Sequence, residues 1–170
     1  MLFRNWLLVF ALLTSLPVPA MAAGSGAAGG NAAAALSSTE WRIECGNNGK
    51  ALNCQIINHI FQQNGAEIAS IAVHPAVAAG QNFAVVQLPL GIALNAPVQL
   101  SVGASAVNLT LNTCIQQGCI ASAALSPNFV SALIAGAKLT LSFGMANSRT
   151  VTMAVPLTGF GLAYHYVTRQ

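Results

Sequence analysis

Ten side chains in this sequence are of the types that most often bind metals or transfer protons: four cysteines, three histidines and three glutamates. The cysteines fall in two pairs, C-x8-C at Cys45 and Cys54 and C-x4-C at Cys114 and Cys119, the second in the stretch CIQQGC. Structural zinc sites use closely spaced pairs that together supply four ligands. The first pair is too wide for that pattern, and the second alone is half a site. A thioredoxin-like redox motif is C-x-x-C at the start of a helix, which neither pair matches. Two disulfides remain. EWRIEC places Trp41, Ile43 and Cys45 on one strand face, and ALNCQIINHIF places Leu52, Cys54, Ile56 and Ile60 on one face of the next. The GNNGK turn joins them, so Cys45 and Cys54 are expected to bridge the hairpin from its core side. Cys114 and Cys119 bracket a Gln-Gln-Gly turn and are expected to bridge each other. Four cysteines allow three pairings, and proximity favours this local one. Loops this short stabilise by about 2–3 kcal/mol per bridge before strain is subtracted.

The remaining reactive groups form no pattern. His59, His74 and His165 share neither H-x3-H nor H-E-x-x-H spacing. His59 is expected on an outward strand face, His74 before Pro75 at a strand end, and His165 between Tyr164 and Tyr166 near the terminus. Glu40 and Glu44 point the same way along one strand, which superficially suggests a glycosidase carboxylate pair. Arg42 lies between them on that face, and a solvated strand face accounts for all three. No G-x-S-x-G nucleophile elbow is present. All three acidic residues are glutamates, so no Asp-oriented triad can form. No catalytic residue, metal site or cofactor is expected.

Those residues sit on an export-type chain. MLFRNWLLVFALLTSLPVPAMAA begins with Arg4, continues with an apolar run from Trp6 to Leu16, and ends in Pro17, Pro19 and Ala20-Met21-Ala22. This order is that of a signal peptide, expected over residues 1–22. The apolar run is far shorter than the roughly twenty residues that span a bilayer, so no transmembrane span is expected after cleavage. Residues 23–38, rich in Ala, Gly and Ser, are expected to be a flexible leader, and the domain to run over 39–170. An exported chain meets an oxidising compartment, which suits disulfides.

Only 5% of the residues are charged, against roughly 25% in ordinary soluble domains. The formal net charge is +3, of which Arg4 supplies one. Such a scattered excess makes no patch for nucleic acid. Asn, Gln, Ser and Thr must solvate the surface, and little like-charge repulsion keeps partners apart.

Short alternating segments recur along the domain. KLTLSFGM directs Leu139, Leu141, Phe143 and Met145 to one side, and TVTMAVPL answers with Val151, Met153, Val155 and Leu157. AVNLTLNTC directs Val107, Leu109 and Leu111 inward. One helix is expected in LSPNFVSALIAGA, with Ser126 as N-cap, Pro127 in the first turn, Gly136 as the stop, and Phe129, Leu133 and Ile134 as its apolar stripe. Trp41, Phe83, Phe143 and Phe160 are expected in the core. The pattern is that of an all-β antiparallel sandwich with one short helix, stapled by two disulfides. Tyr164 and Tyr166 are expected to share a face near the C-terminus. They are then either a partner contact or edge-strand packing.

An ordered series of segments resembles the invasion-associated locus B family of Gram-negative alphaproteobacteria. The series is WRIEC at 41–45 with Cys54 following, Gln62 or Gln63 before a turn, and LPLGIAL at 88–94. CIQQGCIAS at 114–122, LIAGAKLTLSF at 133–143 and VPLTGFGLAY at 155–164 complete it. The resemblance implies a periplasmic or secreted β-sandwich with two disulfides, associated in its founding members with host-cell invasion. The function expected is therefore non-enzymatic binding of an envelope or host-cell protein. A small outer-membrane β-barrel, or an enzyme with an unfamiliar site, is the alternative. Cleavage is expected after Ala22 or Ala23. N-terminal sequencing of the exported protein should begin at the following residue, and a sequence beginning at Met1 would contradict export by this signal.

Overall fold

Alternating side chains make strands of most segments between Ser37 and Pro156. The computed structural model describes residues 36–169 other than 48, 50, 51 and 77–79. The signal expected over 1–22, and the leader before Leu36, lie outside the described residues. The strands are β1 (Ser37–Ser38), β2 (Arg42–Asn47), β3 (Leu52–Phe61), β4 (Glu67–His74), β5 (Asn82–Leu88), β6 (Val98–Val102), β7 (Ser105–Ile115), β8 (Gly118–Leu125), β9 (Lys138–Gly144) and β10 (Thr150–Pro156). The helices are α1 (Pro127–Ala135) and α2 (Phe160–Thr168). Pairing starts at Ser37, opposite Phe61, so the last residues of the stretch expected as leader already belong to the sheet.

Every neighbouring pair is antiparallel, in the order β1-β3-β4-β5-β8-β7-β6-β9-β10, with β2 also on β3. Strand β7 serves two neighbours. Its first half, Ser105–Leu109, pairs with β6, and its second half, from Thr110, pairs with β8 across a register shift between Leu111 and Thr113. A bulge bends its strand and increases local twist, so the sheet curls through β7 instead of dividing in two. The result is a nearly closed, barrel-like sheet, and the expected sandwich is only approximately right.

Inward residues form one apolar core. Ile56, Ile71, Ala84, Val86, Ala121, Leu139, Leu141, Val155 and Phe160 are wholly inaccessible. The late hairpin pairs as its alternation predicts, Val151 with Phe143, Met153 with Leu141 and Val155 with Leu139. Asn58, the one polar residue in the inward series of β3, is fully buried. Its Nδ2 donates to the Thr39 carbonyl. Thr39 also donates its N–H to His59 O at 2.9 Å and accepts from the His59 N–H through Oγ1 at 3.0 Å. These bonds hold the break between β1 and β2 against β3.

Both expected disulfides are present, each between directly opposed residues: Cys45–Cys54 with Cα atoms 4.0 Å apart, and Cys114–Cys119 at 3.9 Å. Cys54 is buried, and Cys45, opposite it on the same sheet face, is exposed because it lies near the hairpin end. Ile56, Val73, Ala84 and Ala123 form one cross-sheet row. Cys54 and Cys119 lie on opposite sides of it, so each end of the sheet carries one staple.

Helix α1 starts as expected. Ser126 Oγ accepts from the Phe129 N–H at 3.2 Å, Pro127 occupies the first turn, and Phe129, Val130 and Leu133 are buried. Gly136 stops the helix for a reason of packing, since its φ is −76°. A Cβ there would come within 2.5 Å of Val102 Cγ1 and 2.7 Å of Ala132 O. A second helix, α2, replaces the single-helix expectation. Gly159 turns the chain at φ 85°, and Phe160, Ala163 and Val167 then recur at helical spacing on its buried face.

Trp41 spans the seam between the two ends of the sheet. Its Nε1 donates to Pro156 O at 2.8 Å, and its ring meets Phe160 edge-on at 5.0 Å. Trp41→Phe removes the donor and keeps an aromatic ring, so it should cost about 1–3 kcal/mol. Trp41→Ala should cost about 3–5 kcal/mol. Urea denaturation measures both, and a Trp41→Phe variant as stable as the parent would show that the hydrogen bond does not hold the seam.

Candidate functional site

The histidines and glutamates stay apart. His59 faces outward on β3 and contacts Glu67 of β4, Nδ1 to Oε1, at 2.8 Å. His74 ends β4 and lines an open cleft of about 410 Å³ with Glu44, Cys45, Gly46, Asn53 and Gln55. Burial holds its imidazole below the ordinary histidine value, which favours the neutral form at pH 7. His165 is exposed on α2. Glu44 accepts from Gln55 Nε2 at 3.3 Å, while Glu40 precedes β2 and lines the seam beside Trp41. Glu40 and Glu44 thus face different clefts and are not a carboxylate pair. Among the described residues, no three His, Cys, Asp or Glu side chains converge as metal ligands.

Helix α2 carries the surface most unlike ordinary solvated polypeptide. Its inner face packs Phe160, Ala163 and Val167 into the core. Gly161 lets α1 come close, because a Cβ there would already touch Ile134 at 3.4 Å. Tyr164 stacks on Phe160 with ring centroids 6.2 Å apart, and its hydroxyl donates to Asn82 Oδ1 at 2.9 Å. Asn82 Oδ1 also accepts from the Ala76 N–H at 2.9 Å, so Tyr164 is tied to the loop between β4 and β5. Tyr166 lies on the other side. Residues two apart in a helix are roughly 200° apart, so the two tyrosines do not share the face that an extended segment would have given them.

Tyr166 belongs instead to an outer stripe with Leu162, His165 and Arg169, which line a shallow cleft of about 470 Å³. Leu162 is 81% exposed and Tyr166 62% exposed. Leu162 and Tyr166 stand at i, i+4, the spacing that places side chains together on one helix face. The helical spacing of Phe160, Ala163 and Val167 after Gly159 was the signal for this stripe. Tyr-His-Tyr-Val, a short run of good strand formers in alternation, obscured it.

Other apolar side chains are exposed at the ends of the sheet. Leu52 and Ile115 stand at the two disulfide-closed hairpins, and Leu90 and Leu94 in the loop after β5. Of the four aromatics expected in the core, Trp41, Phe143 and Phe160 are there. Phe83 is not. It is 42% exposed on the outer face of β5, opposite His74, because Ala84, Val86 and Leu88 take the inward positions.

The model of the Invasion associated locus B (IalB) protein family matches residues 41–168. An invasion protein B homolog of Brucella abortus is 26% identical over 126 residues, 73% of each chain. Invasion protein B of Bartonella bacilliformis is 27% identical over 145 residues, 81% of this chain and 77% of that one. The crystal structure of invasion associated protein B from Bartonella henselae superposes with a TM-score of 0.69 at 26% identity, covering 75% of this chain and 89% of that one. The matched residues run from Trp41 at the seam to Thr168 at the end of α2, and the chain belongs to the invasion associated locus B protein family.

Proposed function

We propose that this protein is exported and acts by binding, without catalysis, at the bacterial envelope or outside the cell. Its outer α2 stripe docks on a protein of the envelope or of a host-cell surface. The exposure of Leu162 and Tyr166 side by side carries this reading. An apolar pair rimmed by His165 and Arg169 on a rigidly seated helix suits the centre of a protein interface, where aromatic residues and arginine are enriched. The hairpin ends at Leu52 and Ile115 and the Leu90–Leu94 loop add apolar rims. An interface of ordinary size buries roughly 1,200–2,000 Å² in total, within reach of one end of such a domain. Uncharged polar side chains dock without the heavy cost of stripping water from ions.

Export is supported by the bonding of all four cysteines in disulfides, which persist in oxidising compartments. The names of the relatives, invasion protein B and its homolog, support a role in attachment or entry. The side-chain distribution favours a water-facing protein over a lipid-facing barrel. Gln99, Ser101, Thr140, Ser142, Thr150 and Thr152 alternate with the inward residues of β6, β9 and β10. A transmembrane barrel turns apolar residues outward.

The test is the double substitution Leu162→Ser with Tyr166→Ser, beside Tyr164→Phe. The double variant should lose cross-linking to its partner in living cells, and attachment, by at least about tenfold, the effect of removing one interface hot spot. Its melting temperature should be unchanged. Tyr164→Phe should cost about 1 kcal/mol of stability and leave binding intact. Undiminished attachment by the double variant contradicts the proposal. So does turnover of a substrate by the purified protein that Ala at one histidine or glutamate abolishes.

A further inference from the structure

Among the described residues, strand β10 is paired on one side only. In an antiparallel strand, the N–H and C=O of a residue point to the same side, and successive residues alternate. The Leu157 N–H donates back to Ala137 O, beside β9, whereas Pro156 O accepts from Trp41 Nε1 across the seam. Counting back by twos from Pro156, the backbone groups of Ala154, Thr152 and Thr150 point away from β9. They have no other backbone partner among the described residues, and all three residues are exposed.

The far end of the sheet cannot serve them in the same way. Strand direction alternates at each step of the order β1-β3-β4-β5-β8-β7-β6-β9-β10, so the first and last strands run in parallel. A ring of antiparallel pairs needs an even number of positions, and this order has an odd one. Edge strands are usually blunted by lysine, by proline within the strand, or by a covering segment. β10 reads TVTMAVP, with no charged residue and proline only at its last position.

We propose that β10 is a self-association edge, where two copies of this chain pair their β10 strands antiparallel about a two-fold axis at Thr152. In that register Thr152 faces Thr152, and Thr150 of each copy faces Ala154 of the other. The outward N–H and C=O groups of all three residues then meet. The same register carries Arg149, just before β10 in one copy, toward the Pro156 end of the other, where Glu40 lines the seam cleft with Trp41 and Pro156. Opposite charges approach at both ends of the shared strand pair, in a chain with only three carboxylates. A two-fold interface needs a surface complementary to itself, and this edge meets that requirement with the chain's own residues.

The mature protein, purified whole, tests this by sedimentation over a concentration series, combined with amide exchange at Thr152 and Ala154. A reversible dimer is expected, with both amides protected in the dimer and exchanging freely on dilution. Thr152→Lys sets two lysines face to face and should weaken the dimer at least about tenfold, since like charges directly opposite destabilise a strand pair. Thr152→Pro removes an N–H that β9 does not use and should act likewise without lowering the melting temperature. Should both disturb the fold, Arg149→Glu should weaken the dimer, and adding Glu40→Arg should restore it. A monomer at every concentration overturns the proposal, including one whose edge amides are protected by the chain itself. A dimer that survives these substitutions in a folded protein overturns it as well. Leu162→Ser with Tyr166→Ser leaves β10 untouched and should leave the dimer intact, which separates this edge from the α2 surface.

Discussion

A curled antiparallel sheet whose end strands run the same way cannot close by continuing its own ladder. Here one side chain crosses the gap. The Trp41 indole donates to the Pro156 carbonyl and presents its edge to Phe160, joining the segment before β2, the end of β10 and the start of α2 at one point. Thr39 and Asn58 hold the approach to that point by anchoring the break between β1 and β2 on β3. The position of α2 follows from this, because Phe160 fixes its first turn and Tyr164 fixes its middle through Asn82. Leu162 and Tyr166 are exposed because the helix is seated by its other face.

Electrostatics contributes little to this arrangement, and the composition shows why the protein needs other devices. With three glutamates and no aspartate, solvation falls to amides and hydroxyls, and stability to the apolar interior and two disulfides at opposite ends of the sheet. Isolated two-stranded hairpins are marginal in water, and each bridge ties an exposed hairpin end to a cysteine buried in the core, Cys54 or Cys119. A chain with few charges also lacks the usual means of keeping sheet edges and apolar stripes apart. The β10 edge, unpaired among the described residues, and the outer stripe of α2 share that cause.

Much of the fold was legible wherever one residue's preference matched its tertiary role. The β9–β10 alternation, the Ser126-Pro127 helix start and the local disulfide pairing depend on neighbours in sequence, and the structure has all three. The misreadings came from long-range geometry. Whether β7 ends one sheet or bends to join two depends on the shift at Leu111–Thr113, which period-two counting cannot register. Phe83 is apolar yet faces outward, because the smaller Ala84, Val86 and Leu88 fit the interior of a tightly curved sheet. At Tyr164–Tyr166 two periods competed within a few residues. Helix formation there depended on Trp41, more than a hundred positions away, offering Phe160 a ring to pack against.

If the Trp41 contact closes the domain, then β1, β2, β10 and α2 belong to one cooperative unit with the central strands. Native-state amide exchange measures this residue by residue. The protected amides of these elements should open with the free energy of global unfolding, and Trp41→Phe should lower them all by the same amount. Opening of α2 and β10 well below the global free energy, with the central strands undisturbed by Trp41→Phe, would contradict the account.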